Sequence, residues 1–193
     1  MAQTLPNTFI MKQITFLFAL LLISKLSTAQ IYLSKSCDIS FFSESPVENI
    51  DAVNKDARAL LNTVKHSVVF RAAIKGFEFK KPLMQEHFNE TYLESDTYPK
   101  AVLRANIVDT LDYSKDGTHK VTVKGTLELH GVTKDVTYEG TITIKGETIT
   151  IVSTIVIVLA DFNIDVPTLQ KAAISEEIEV KVNAILTPYQ KKK

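Results

Sequence analysis

The chain has 193 residues, enough for one domain with a sizeable core and too few for two comfortable ones. Its 22 basic and 22 acidic side chains cancel, so the charge balance gives no argument for nucleic acid or an anionic membrane surface as partner. The single cysteine, Cys37, excludes an intramolecular disulfide, and one cysteine without a His/Cys cluster excludes a structural zinc site.

At the N-terminus, Lys12 precedes the apolar run ITFLFALLLIS, and Ser27-Thr28-Ala29 follows with small residues. This order predicts a secretory signal peptide over residues 1–29, cleaved near Ala29, with Met1 or Met11 as the start. The run is interrupted by Lys25 and is too short to cross roughly 30 Å of hydrocarbon, so no stable membrane span is expected after cleavage. The remaining residues, 30–193, read as one domain, secreted after cleavage. Gln30 to Phe42 is a predicted strand with Cys37, Ile39 and Phe41 on one face, ended at Ser45-Pro46. From Val47 to Asn62 the apolar positions Ile50, Val53, Ala57, Leu60 and Leu61 recur at three and four residues, which predicts a short amphipathic helix or helical turns over an end of the sheet. Strand character returns over Val64 to Phe70 and continues through Ala72 and Ile74. Gly76 then marks a bulge before Phe77 and Phe79.

Lys81 to Tyr98 predicts a short helix: Pro82 suits a first turn, Met84, Phe88 and Tyr92 form a stripe, and Pro99 ends it. Such a stripe is more often core than ligand contact. A strand over Ala101 to Tyr113 leads to the Lys115-Asp116-Gly117 turn. Thr118 to Leu159 is a three-strand meander joined by HGVTK and KGE, with alternation that marks antiparallel strands having one dry and one wet face. Ala160 to Ala173 is irregular around Pro167, and a last strand fills Glu176 to Thr187.

About eight amphipathic antiparallel strands with short helical inserts point to a mainly β domain, an extended eight-stranded barrel, because closure removes exposed edges. Strands of twelve residues, at about 3.3 Å each, give roughly 40 Å of strand and about 30 Å of barrel height. A tall narrow enclosure suits a long apolar chain. A sandwich with a solid core would give the same alternation.

Catalytic signatures are scarce. His66, His87, His119 and His130 are isolated in sequence, and Glu86-His87 is not followed by a second histidine at metalloprotease spacing. There is no nucleophile elbow or phosphate loop, and Asp161 and Asp165 lack the glycine and terminal glutamate of a calcium loop. Ser95-Asp96 reads as a turn, and His130, before Gly131, as a hairpin tip. No catalytic residue and no metal ligand is assigned.

The segments LMQEHFNETYLESDTYPKA (Leu83 to Ala101), LHGVTKDVTYEG (Leu129 to Gly140), ADFNIDVP (Ala160 to Pro167) and EIEVKVNAIL resemble the YceI-like family, in the same order and over the whole chain after residue 29. The resemblance implies a lipocalin-like antiparallel barrel that binds polyisoprenoid or another long-chain lipid in the periplasm, without shared catalytic residues. The expected ligand-binding side chains are Phe70, Ile74, Phe77, Phe79, Met84, Phe88 and Tyr92, facing the tunnel and its mouth. The partner is then an apolar lipid, with no cofactor beyond such a bound lipid and no nucleic acid; whether barrels pair as a homodimer stays open. The competing reading is a non-catalytic envelope module with a solid core that acts through its loops.

Overall fold

The computed structural model describes residues 31–43, 49–165 and 175–190. The expected signal peptide, Ser45-Pro46, Pro167 and the Lys191-Lys192-Lys193 tail lie outside these residues. The strands are β1 (Ile31–Ser43), β2 (Ile50–Asn54), β3 (Arg58–Asn62), β4 (Ser67–Ala73), β5 (Glu78–Phe79), β6 (Lys100–Ile107), β7 (Gly117–Leu129), β8 (Val132–Lys145), β9 (Thr148–Val158) and β10 (Glu177–Pro188). β2 and β3 keep one register against β1, since Ile39 faces Asn54 and Leu33 faces Leu60. They are two halves of one wall. β4 and β5 form the next wall in the same way, pairing with β3 and β2. Each wall then pairs antiparallel with its neighbour in sequence, and β10 closes on β1. The result is an eight-walled up-and-down barrel.

Among the described residues the helix expected within Val47 to Asn62 is not formed: residues 50–54 and 58–62 are β2 and β3. Ala52 and Asn54 are buried, then Ala57, Ala59 and Leu61, so two period-two runs meet out of phase across Lys55-Asp56. That slip mixes the faces and leaves apolar residues three and four apart, which imitates a helix. β1 slips at a similar level, because Ser34 faces Leu186 of β10 while Ser36 faces Ile185. Polar side chains close the irregularity. The Ala59 N–H donates to Ser34 Oγ at 3.0 Å. Asn54, with no exposed surface, donates from Nδ2 to the Ala73 carbonyl at 2.8 Å and accepts from the Asp56 N–H at 2.9 Å. Gly76 belongs to the same clamp, since a Cβ there would lie 2.7 Å from Asn54 Nδ2.

The strand expected from Val64 starts only at Ser67. Asn62 Oδ1 accepts from the N–H groups of Val64 and Lys65, at 3.1 and 2.9 Å, and the chain turns there through His66 at φ 50°. The helix after Lys81 is present but shorter: α1 (Pro82–His87) starts on Pro82, as Pro's fixed φ favours, and widens into a π turn over Phe88–Tyr92. Short 3₁₀ turns cover Ile74–Gly76, in place of the expected bulge, and Leu159–Phe162.

One part of the barrel is solid. Cys37, Ala57, Leu61, Ile149, Ala184 and Leu186 have no exposed surface and pack in one cluster. Leu61, Ile149 and Leu186 form its floor. Toward α1 the inward side chains surround a space instead of filling it.

Candidate functional site

The space above the floor is an apolar cavity of about 440 Å³. Its size falls in the range of small-molecule pockets. Alternation delivers the lining: successive inward residues of each wall reach it, while the wet-face residues between them do not. All seven residues expected from the sequence line it, Phe70, Ile74, Phe77 and Phe79 from the β4–β5 wall, and Met84, Phe88 and Tyr92 from α1 and its π turn. The structure adds side chains from the far walls that were not singled out, among them Leu103, Val123, Ile155 and Val182. Their signal was available, because each sits at an inward position of an alternating run.

Phe88 anchors an aromatic cluster at the α1 side. Its ring lies 5.5 Å from Phe41, 5.6 Å from Phe77 and 5.0 Å from Phe79, centroid to centroid, with the Phe41 pair nearly parallel. Aromatic pairs in such offset and tilted arrangements contribute about 0.5–1.5 kcal/mol each beyond area burial. Polar groups at the cavity are few. Burial raises the phenols of Tyr92 and Tyr138, and the Asp161 charge adds to the shift at Tyr138, so both stay neutral in ordinary buffers. His87 reaches the lining but is exposed. The arrangement can enclose an apolar chain and offer it few hydrogen bonds.

The other histidines lie elsewhere. His130 and Gly131, at φ 49° and 73°, make the two-residue left-handed turn between β7 and β8. The Tyr98 ring packs edge-on against His130 at 4.5 Å, and a Cβ on Gly131 would come within 2.6 Å of it. His130 Nδ1 lies 3.1 Å from the Phe162 carbonyl. The Tyr-Pro segment and the HGVTK hairpin are therefore one packed unit outside the cavity. The His66 ring lies tilted beside Tyr113, 5.7 Å between centroids. Among the described residues no three metal-ligating side chains come together.

Fold and cavity together define an up-and-down β-barrel of lipocalin-like shape with an apolar interior. The chain belongs to the YceI-like family, whose domain model matches residues 38–186. Solved structures agree with that fold. A polyisoprenoid binding domain from Saccharophagus degradans, implicated in plant cell wall breakdown, aligns with TM-score 0.71 at 16% identity, covering 84% of this chain and 100% of its own. BcnA of Burkholderia cenocepacia gives 0.66 at 18%, covering 77% and 95%. The YceI protein of Campylobacter jejuni gives 0.59 at 15%, covering 76% and 90%. No match was found among curated proteins. Among the described residues no helix is long and apolar enough to cross a membrane.

Proposed function

We propose that this chain is a periplasmic or secreted carrier that holds one long-chain apolar lipid, polyisoprenoid or fatty-acid-like, in the barrel, and that it catalyses no reaction on it. The observation that carries the reading is the apolar cavity of about 440 Å³. The Saccharophagus domain, named for polyisoprenoid binding, supports the ligand class. With each carbon taken at about the 30 Å³ of a liquid water, the space suits a chain on the order of fifteen carbons. Each buried methylene contributes about 0.8 kcal/mol, so such a chain gains on the order of 12 kcal/mol before the loss of translational and rotational freedom is subtracted. The nearly uniform apolar lining supports a binding role without chemistry. A filled barrel acting only through its loops is disfavoured by the same cavity.

Organic extraction of protein isolated from its native source, followed by mass spectrometry, is the test. About one amphiphile per chain is expected. No stoichiometric amphiphile, together with no uptake of dansyl-undecanoic acid by the delipidated protein, overturns the reading. The intact mass of the same protein checks the export expectation, which puts Gln30 first in the mature chain.

A further inference from the structure

The ladder between β8 and β9 is short. Thr141 to Lys145 pair with Thr148 to Val152, and beyond that point residues 132–140 and 153–158 do not pair with each other. The same halves are fully paired on their other sides, to β7 and β10. Among the described residues no backbone bond crosses the gap. Other ladders also stop early, but they are covered. Where β6 ends, Asp109 accepts the Thr122 N–H at 2.6 Å and the Val108 N–H bonds the Thr122 carbonyl at 3.0 Å. Beside β5, α1 fills in, with Gln85 accepting from the Phe79 N–H at 3.3 Å.

The β8–β9 gap is thus a slit with defined corners. The Ser153 hydroxyl donates to the Glu139 carbonyl at 2.5 Å at one corner. The Lys134–Asp161 ion pair, at 3.0 Å, closes the other. At about 3.3 Å per residue the six residues 153–158 give it a length of roughly 20 Å. Its inner edges, Tyr138 and Gly140 against Ser153, Ile155 and Ile157, are cavity lining, so slit and cavity are continuous. Its outer edge is unusual for a wet face. Val156 and Val158 are 52% and 36% exposed along its β9 side, and Val152, just before it, is 47% exposed.

We propose that this slit is the mouth of the cavity, through which the ligand's apolar chain passes sideways between β8 and β9, across the valine lip. The proposal rests on the lipid-carrier reading. Unpaired backbone N–H and C=O groups along the edges are wetted in the empty barrel and give a polar head hydrogen-bond partners once the chain is inside.

The test is a bar across the slit. Thr137→Cys and Thr154→Cys, both at exposed positions on facing strands, are bridged with a short bismaleimide; Cys37, fully buried, stays unlabelled. Uptake of dansyl-undecanoic acid is followed by stopped flow. The barred protein loads slower by about tenfold or more, as gated sites do, with unchanged affinity at equilibrium, while single variants capped with N-ethylmaleimide load at the native rate. A barred protein that loads at the native rate overturns the mouth and leaves the carrier intact. A native protein that takes up no probe overturns both. Hydrogen exchange is a second readout: in the free protein, slit-facing amides of residues 132–140 and 153–158 exchange roughly a hundredfold faster than those of Thr141–Lys145. Equal protection overturns the slit itself.

Discussion

Ala101 faces the cavity from β6, directly opposite Ala72 on β4, so two small side chains leave space between the walls. Ala101→Phe places a ring in that space. A cavity of about 150 Å³ accepts benzene, so the ring takes up about a third of the 440 Å³. In a packed core the same substitution overpacks and costs about 1–3 kcal/mol. In an empty apolar cavity it instead buries a side chain worth about 1.5–3 kcal/mol. Part of that gain is lost to rotamer ordering, so about 1 kcal/mol of net stabilisation is expected, and a rise in Tm of about 2–4 °C. Ligand binding moves the other way. Displacing about seven ligand atoms at about 0.3 kcal/mol each weakens binding by about 2 kcal/mol, roughly thirtyfold. Urea denaturation of the delipidated protein and titration with dansyl-undecanoic acid measure the two effects. Destabilisation by about 1–3 kcal/mol with unchanged binding refutes the hollow barrel.

Asn54→Ala strands the Ala73 carbonyl and the Asp56 N–H and is expected to cost about 2 kcal/mol in urea denaturation. Gly76→Ala is destabilising through its 2.7 Å approach to Asn54, and less so in the Asn54→Ala background; strictly additive costs refute that contact. Burial pushes the Tyr113 phenol up to about 12, and its buried hydroxyl has no partner among the described residues. A raised pKa means that this contribution is intact below pH 10 and is lost as pH climbs toward 12. Tyr113→Phe therefore flattens that alkaline slope in pH-dependent denaturation and costs nothing at neutral pH. Burial, with the Asp38 charge, pushes the Cys37 thiol up to about 11. Its reaction with a disulfide reagent at pH 8 is expected to follow global unfolding, and fast labelling of native protein refutes this.

The meander from Thr118 to Leu159 was readable because β7 and β8 keep strict alternation, and the structure places three strands there. β2 and β3 were not, because the slip at Lys55-Asp56 changes which face an apolar residue occupies, and a single period cannot represent that. Asn62 likewise hid the start of β4, since its role as a turn-maker depends on side-chain direction. The seven expected lining residues all reach the cavity, yet alternation alone could not show that the walls stand apart, since a solid core has the same pattern. One legible signal was passed over. β9 carries valines on its outer face as well as isoleucines on its inner one, which fits a strand that leaves its neighbour on one side.

A barrel closed firmly below and hollow above is also a gauge of length. The floor of Leu61, Ile149 and Leu186 has no room to yield, and Ile142, 1% exposed, joins that packed cluster while lining the cavity's inner limit. Each added carbon strengthens binding until the chain tip meets that stop; further carbons stay in water and add nothing. Affinity across a homologous series of fatty acids therefore climbs by about 0.8 kcal/mol per methylene and then breaks to a plateau. Shaving Ile142 to Val or Ala moves the break to longer chains, so the most static part of the molecule decides which of its ligands is measured as the right size.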